Sequence, residues 1–181
     1  MNIISIDFSK KNTGVFLKLS GQEMLLSISN SKNDPIEKAL EKIFMSLHSM
    51  VTDNNIKLGI MEGYAFNVKH MTSVAALGEV GGCIKMLFGM LKVPLVTVPV
   101  ATWKMLTIGK IKKSGNEKRY LETAKKIYGK DFSDTDQADA YMIYKATQII
   151  LKKTGAMTPA MIEIKGKILE AWGKIKEKES V

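Results

Sequence analysis

The sequence predicts an α/β protein built on a mixed five-stranded sheet, with helices on both faces and an extra helix at its C-terminal end. Three observations lead there. Three short β-patterned runs follow one another in the first 29 residues, which is a meander. From residue 34 onward, helical stripes alternate with two short apolar runs, as they do where helices connect parallel strands. After residue 153 the pattern is helical.

The first run, "IISID" (3–7), is β-branched and strand-like, but it ends on an acid, Asp7. Asn12, Thr13 and Gly14 read as a tight turn, and "VFLKL" (15–19) as the second strand. Ser20-Gly21 turns the chain into "QEMLLSIS" (22–29). Residues 34–52 carry Ile36, Leu40, Ile43, Phe44, Leu47, Met50 and Val51 at helical spacing, with Asp34 as cap and Pro35 in the first turn. "KLGIMEG" (57–63) is a fourth strand that ends in Glu62. Residues 71–91 form a helix in which Gly78, Gly81 and Gly82 each cost about 1 kcal/mol against alanine, so close packing is expected there. Met45, Met50, Met86 and Met90 read as core residues on helix faces. "PLVTVP" (94–99) is the fifth strand, followed by a short helix that Trp103 and Lys104 open. "GKIKKSG" (109–115) is a basic loop and 116–128 a helix. Residues 131–153 are a loop and a long helix capped by Asp134 or Ser133, and 158–178 a last helix striped with Met161, Ile164, Ile168, Trp172 and Ile175. The domain division is 1–153 for the α/β domain and 154–181 for a C-terminal helical extension.

The chain has 181 residues and 45% apolar content, enough for a full core. No apolar run approaches the ~18 residues of a membrane span. One cysteine, Cys83, excludes an internal disulfide. A cytoplasmic location is expected, with no leader segment before the first strand. The net charge is +9. Residues 1–90 carry 9 lysines against 8 acids, whereas 92–130 carry 10 basic residues against Glu117 and Glu122. Such a concentrated basic stretch fits a polyanion. Arg119 is the sole arginine, so contacts to phosphates are expected rather than bidentate reading of bases.

Four acids stand where solubility does not require them: Asp7 in a strand, Glu62 at the carboxyl end of another, and Asp136 and Asp139 three apart on one helix. An i, i+3 pair projects from one face. If the fourth strand lies beside the first, Asp7 and Glu62 are neighbours, and a helix across the sheet can bring the other two to them. Clustered carboxylates repel unless divalent cations neutralise them, and hard oxygen donors suit Mg²⁺ or Mn²⁺. Two such ions can hydrolyse a phosphodiester. His48 and His70 lack a metal-ligand spacing, and no Walker-type loop is present.

The stretches "IISIDFSKKNTGV", "LGIMEGYAF", "SVAALGEVGGCI", "LVTVPVATWKMLTIGKIKKSGNEK" and "DTDQADAYMIYKA" resemble, in unbroken order over roughly residues 1–150, the motifs of RuvC-type Holliday-junction resolvases of the ribonuclease H-like superfamily. The resemblance implies a ribonuclease H-like sheet and a homodimeric, Mg²⁺-dependent endonuclease with two ions per site, Mn²⁺ substituting. Such an enzyme nicks opposed strands of a four-way DNA junction. The family's catalytic, metal-binding carboxylates map onto Asp7, Glu62, Asp136 and Asp139. Its junction-contacting aromatic maps onto Phe66, with Tyr64 the rival. Its strand-contacting lysines map onto Lys104, Lys112 or Lys113, and Lys118, and Lys110 and Arg119 of the same basic stretch are expected to bind DNA with them. The chain departs from the bacterial pattern by one extra residue in "GYAF" and by the last helix. Compact, lysine-rich versions of this kind are similar to phage- or virus-encoded resolvases, which also act on other branched DNA. If phage-encoded, the protein works in the host cytoplasm or nucleoid.

Three other functions compete. A ribonuclease H acting on RNA–DNA hybrids would use the same carboxylates. A non-catalytic branched-DNA-binding protein would lack one of them. An actin-like ATPase, suggested by "DFSKKNTG", needs a duplicated domain that the chain lacks. Neither a nucleotide cofactor nor a membrane is expected as partner. The homodimer interface is expected on the 71–91 helix through Met86, Leu87, Phe88 and Leu91, with the last helix as rival.

Overall fold

In a computed structural model of the chain, β1 (Ile3–Asp7) is the middle strand of a sheet ordered β3-β2-β1-β4-β5. The structure describes residues 1–31, 33–64, 71–109 and 116–179. Among these it forms five strands and six helices. β2 (Asn12–Leu19) and β3 (Gln22–Ser29) complete an antiparallel meander, while β4 (Leu58–Glu62) and β5 (Leu95–Val98) run parallel to β1. This is the mixed sheet expected, with the fourth strand beside the first.

Alternation along the strands divides the core in two. Ile4, Ile6, Val15 and Leu17 face α1 (Ile36–Asp53) and α2 (Met71–Met90), meeting Ile43, Leu47, Val51, Val80, Ile84, Leu87 and Phe88. Ile3, Phe16, Leu58, Ile60, Val96 and Val98 face the other way. There they meet α3 (Val100–Thr107), α4 (Glu117–Tyr128), α5 (Thr135–Lys152) and α6 (Pro159–Glu179). Each fully buried aliphatic side chain contributes about 1.5–3 kcal/mol. α6 is part of this core, because Met161, Ile164, Ile168 and Ala171 are buried in it. No described helix is long and apolar enough to cross a membrane.

The details correct several expectations. Asn12–Gly14 is not the first turn. Asn12 already pairs with Ser29, and the chain reverses over residues 8–11. Ser9 closes that turn: its Oγ donates to the Asn12 carbonyl at 2.6 Å and accepts the Asn12 N–H at 3.0 Å. Pro35 is the N-cap of α1 rather than a first-turn residue, and no side chain caps the helix. Asp34 instead accepts from the Ser31 N–H and pairs with Lys38, both at 3.0 Å. Met45, Met86 and Met90 are 58%, 56% and 65% exposed, not core, because β-branched, leucine and phenylalanine side chains already fill the inner faces of their helices. Met50 does pack against the core. Of the α2 glycines, Gly81 alone meets close packing, where a Cβ would lie 2.5 Å from the Tyr64 hydroxyl; Gly78 and Gly82 face open space. Leu87 and Phe88, expected at an interface, are buried against the sheet, and among the described side chains of α2 the large exposed apolar ones are Val74, Met86 and Met90.

Candidate active site

β1 and β4 run parallel with Ile6 opposite Met61, so the next residues, Asp7 and Glu62, end adjacent strands side by side. Ile3, Ser5 and Asp7 alternate onto the α5 face. Ile3 lies in the core cluster there, and the buried Ser5 Oγ donates to the Ala140 carbonyl of α5 at 2.6 Å. The two carboxylates therefore lie at the carboxyl end of parallel strands, the usual ligand edge of an α/β sheet.

α5 brings the other pair. Asp134 is its N-cap and accepts the Gln137 N–H at 2.7 Å. Of the two caps that the sequence offers, Asp134 and Ser133, the structure uses Asp134. The Ser27 hydroxyl of β3 donates to Asp134 Oδ2 at 2.6 Å and accepts from Gln137 Nε2 at 3.1 Å, tying the helix start to the sheet. Gly14, which pairs with Asp7 across β1 and β2, is what lets the helix come so close. A Cβ on Gly14 would lie 2.0 Å from the Asp136 carbonyl oxygen. The first turn of α5 thus rests on bare backbone next to Asp7, and Asp136 and Asp139 lie one helical turn apart above it.

Two neutral donors hold these helix carboxylates. Asn12 Nδ2 donates to Asp136 Oδ2 at 2.8 Å, while Asn12 Oδ1 accepts from the Ser29 hydroxyl at 2.7 Å. The Tyr120 hydroxyl of α4 donates to Asp139 Oδ1 at 2.5 Å. Tyr120 is fully buried and Asp139 is 3% exposed. Burial pushes the Tyr120 hydroxyl far above its ordinary pKa, and the charge and hydrogen bond of Asp139 add to this, followed by the charges of Asp7 and Glu62. Asn12 holds Asp136 at the Gly14 contact.

Among the described residues, no group of three His, Cys, Asp or Glu side chains is placed so that it could hold a metal ion as it stands. The donor chemistry nonetheless fits a hard divalent cation. It is oxygen-only and multiply anionic, and its carboxylates come from β1, β4 and α5.

The predicted nucleic-acid contacts fall into three groups. Phe66, Lys110, Lys112 and Lys113 lie outside the described residues. Lys118 and Arg119 are exposed on the first turn of α4, and Lys104 is half-buried on α3 with its ammonium 5.1 Å from the Trp103 ring centroid. Tyr64 packs edge-on against Phe8 with centroids 5.8 Å apart, lies against Gly81, and has the Lys85 ammonium 4.7 Å from its ring centroid. In this placement Tyr64 serves packing. Trp103 is fully buried, which makes it a core residue. Ser5, Asn12, Gly14 and Tyr120 were absent from the predicted site. Asn12 and Gly14 carried a signal, but it read as a turn.

No family model matches the sequence, and no curated protein matches it. Solved structures do. The RuvC of Thermus thermophilus in complex with a Holliday junction substrate superposes with a TM-score of 0.67 at 14% identity, over 84% of this chain and 95% of that one. A second structure of T. thermophilus RuvC gives 0.64 at 16% identity, over 84% and 96%. The fowlpox virus resolvase in complex with Holliday junction DNA gives 0.51 at 14% identity, over 84% and 100%. The chain has the ribonuclease H-like fold of these proteins.

Proposed function

We propose that this chain is a structure-selective DNA endonuclease that resolves Holliday junctions, and other branched DNA, by metal-dependent phosphodiester hydrolysis. The observation that carries the reading is the placement of Asp7 and Glu62 side by side at the ends of β1 and β4, with the first turn of α5 and its Asp136 seated on Gly14 beside Asp7. The likeness to RuvC in fold supports it.

Asp7, Glu62, Asp136 and Asp139 would hold Mg²⁺, with Mn²⁺ able to substitute and two ions per site. Bound there, the cations supply a water activated for attack and neutralise charge on the departing oxygen. The chain's own residues do the rest. Ser5 and Gly14 fix α5 against β1, so the four carboxylates keep their relative places. Lys104, Lys118 and Arg119, with Lys110, Lys112 and Lys113, bind phosphates and position the branched duplex. Phe66 engages bases at the branch point. A homodimer presents two such sites to the two-fold axis of a junction.

The test is cleavage of an end-labelled four-way junction. Mg²⁺ and Mn²⁺ should each support cutting, and Ca²⁺ should support binding with little cutting, because it accepts longer, looser coordination. Full cutting in excess EDTA would contradict the mechanism.

A further inference from the structure

We propose that α6 carries a self-pairing face, on which a second copy of this chain packs its own α6 in antiparallel order. The contact is separate from the pairing of sites at a junction, because α6 and α2 lie on opposite faces of the sheet. It does not rest on the nuclease reading.

The inner face of α6 belongs to the core, through Met161, Ile164, Ile168 and Ala171, with Trp172 packed against them. Its outer face repeats Ile162, Gly166, Leu169 and Gly173 at spacings of four, three and four, as along a seam between two helices. Ile162 is 56% and Leu169 48% exposed. Among the described residues, a Cβ on Gly166 or Gly173 would meet nothing within 4 Å. Glycine weakens a helix interior, and packing within the described chain does not call for it at either place. The pattern complements itself in antiparallel order. The register that seats Leu169 on Gly166 of the second copy also seats Ile162 on Gly173, so each large side chain meets bare backbone. Beside the seam run the exposed Glu163, Lys167, Glu170 and Lys174, which pair within the helix as Glu163–Lys167 and Glu170–Lys174, both at 2.5 Å. In an antiparallel pair this flank of one helix faces the same flank of the other. The register that matches large to small then brings Glu163 near Lys174 of the second copy, and Lys167 near Glu170. Every contact occurs twice, as a two-fold interface requires. A parallel pair would instead set Leu169 on Leu169 and Gly166 on Gly166, and would turn the charged flank toward the side that carries Lys165. Shape and charge therefore select one arrangement. With 21 residues, α6 is about 31 Å long. One helix pair of that length is small beside the ~800 Å² per partner of a standard interface, so the pairing is weak and depends on concentration.

The test uses the full chain without DNA. Isotope-labelled and unlabelled protein are mixed in equal amounts at high concentration and treated with a carbodiimide, which joins a carboxylate to an amine in contact with it. Mass spectrometry of the digest should find peptides from different copies joined between Glu163 and Lys174 and between Glu170 and Lys167. Sedimentation velocity at rising concentration should show an association step that Leu169→Glu abolishes. The double variants Glu163→Lys with Glu170→Lys, and Lys167→Glu with Lys174→Glu, should each lose that step alone, and an equal mixture of the two should regain it. The absence of those links between copies would overturn the proposal. Links from Glu163 or Glu170 to Lys165 of another copy would overturn it too, since they belong to a parallel pair. So would association that is the same in Leu169→Glu as in the unaltered protein, which would place any pairing elsewhere, on α2 for example. Should a variant fail to fold, the links formed in the unaltered protein decide the matter by themselves.

Discussion

Asp7 ends a strand whose residues on the same face are Ile3 and Ser5, one apolar and one hydrogen-bonded to α5. Nothing in the local chain requires a carboxylate there, and a charge next to a core is costly unless it has a use. The same logic applies to Asp139, nearly buried on the underside of α5. The expectation that follows is specific. Asp7→Asn, Glu62→Gln and Asp136→Asn should each lower junction cutting by at least ~10²-fold, the scale of losing a preorganised electrostatic group. Junction binding measured by gel shift should survive, since the basic surface is untouched. Asp139→Asn should behave alike. A variant that cuts at the unaltered rate would remove its residue from the site. The four acids stand out in the sequence because each breaks a local pattern. Their supports do not. Asn12 and Gly14 look like a turn, and Tyr120 looks like one more apolar residue on a helix face. Their roles come from contacts across 124 residues for Asn12–Asp136 and 19 for Tyr120–Asp139. No periodicity encodes such contacts.

The elements were legible wherever one face is apolar. Strands β1, β3, β4 and β5 and helices α1, α2, α4, α5 and α6 lie within a few residues of where the pattern placed them. The first hairpin is not legible, because Asn12, Thr13 and Gly14 carry turn chemistry while the Ser9 side chain closes the turn. The exposure of the methionines of α1 and α2 is not legible either, because hydrophobicity does not say which of two apolar faces meets the sheet. Gly14 belongs to this scale, since it is the seat of α5 on the meander. Gly14→Ala would drive a Cβ into helix backbone, which cannot move aside as a side chain can. The expected cost is about 1–3 kcal/mol, seen as a lower melting temperature. Cutting should fall further than binding, even well below that temperature, because Asp136 shifts relative to Asp7. Normal cutting by Gly14→Ala would show that this close approach is dispensable. A second link ties β3 to the segment before α5: Lys130 Nζ is 2.8 Å from Glu23 Oε2, and Lys18 Nζ is 3.2 Å from Glu23 Oε1. The Lys130 hydrogen bond, chiefly, holds the Glu23 carboxyl below its ordinary value, and Glu23 raises Lys130 in turn. A depressed carboxyl stabilises the fold above its unfolded pKa of about 4.3 and loses that contribution as pH falls through the lower folded value. A raised ammonium stabilises below its unfolded pKa of about 10.4 and loses its contribution as pH rises through the higher folded value. Glu23→Gln should therefore cost a few tenths to about 1 kcal/mol at pH 7, given the partial exposure of the pair. The difference should shrink toward zero in urea melts near pH 3. A difference that stays constant from pH 7 to pH 3 would assign the effect to packing.

At the scale of the whole molecule, two asymmetries coincide. The basic residues concentrate between 92 and 130, and among the described ones Lys118 and Arg119 sit on the helix that also carries Tyr120 to the carboxylates. A basic stretch and the tyrosine that touches Asp139 thus share α4, an arrangement that the proposed nuclease would need in order to hold a polyanion beside its acids. The chain carries one carboxylate set, so paired nicks at a two-fold junction call for two copies related by a dyad. The exposed Val74, Met86 and Met90 of α2 offer apolar surface for such a pairing. A ribonuclease acting on hybrids would use the same carboxylates without needing the dyad, so the choice of substrate separates the two activities. The most direct measurement offers the purified protein, in Mg²⁺, an end-labelled four-way junction, a linear duplex of the same sequence and an RNA–DNA hybrid, and maps every cut. The account predicts nicks at symmetry-related positions in opposed strands of the junction, little cutting of the duplex or hybrid, and loss of all cutting in Asp7→Asn. Preferential cutting of the hybrid, or junction cutting that persists in Asp7→Asn, would contradict it.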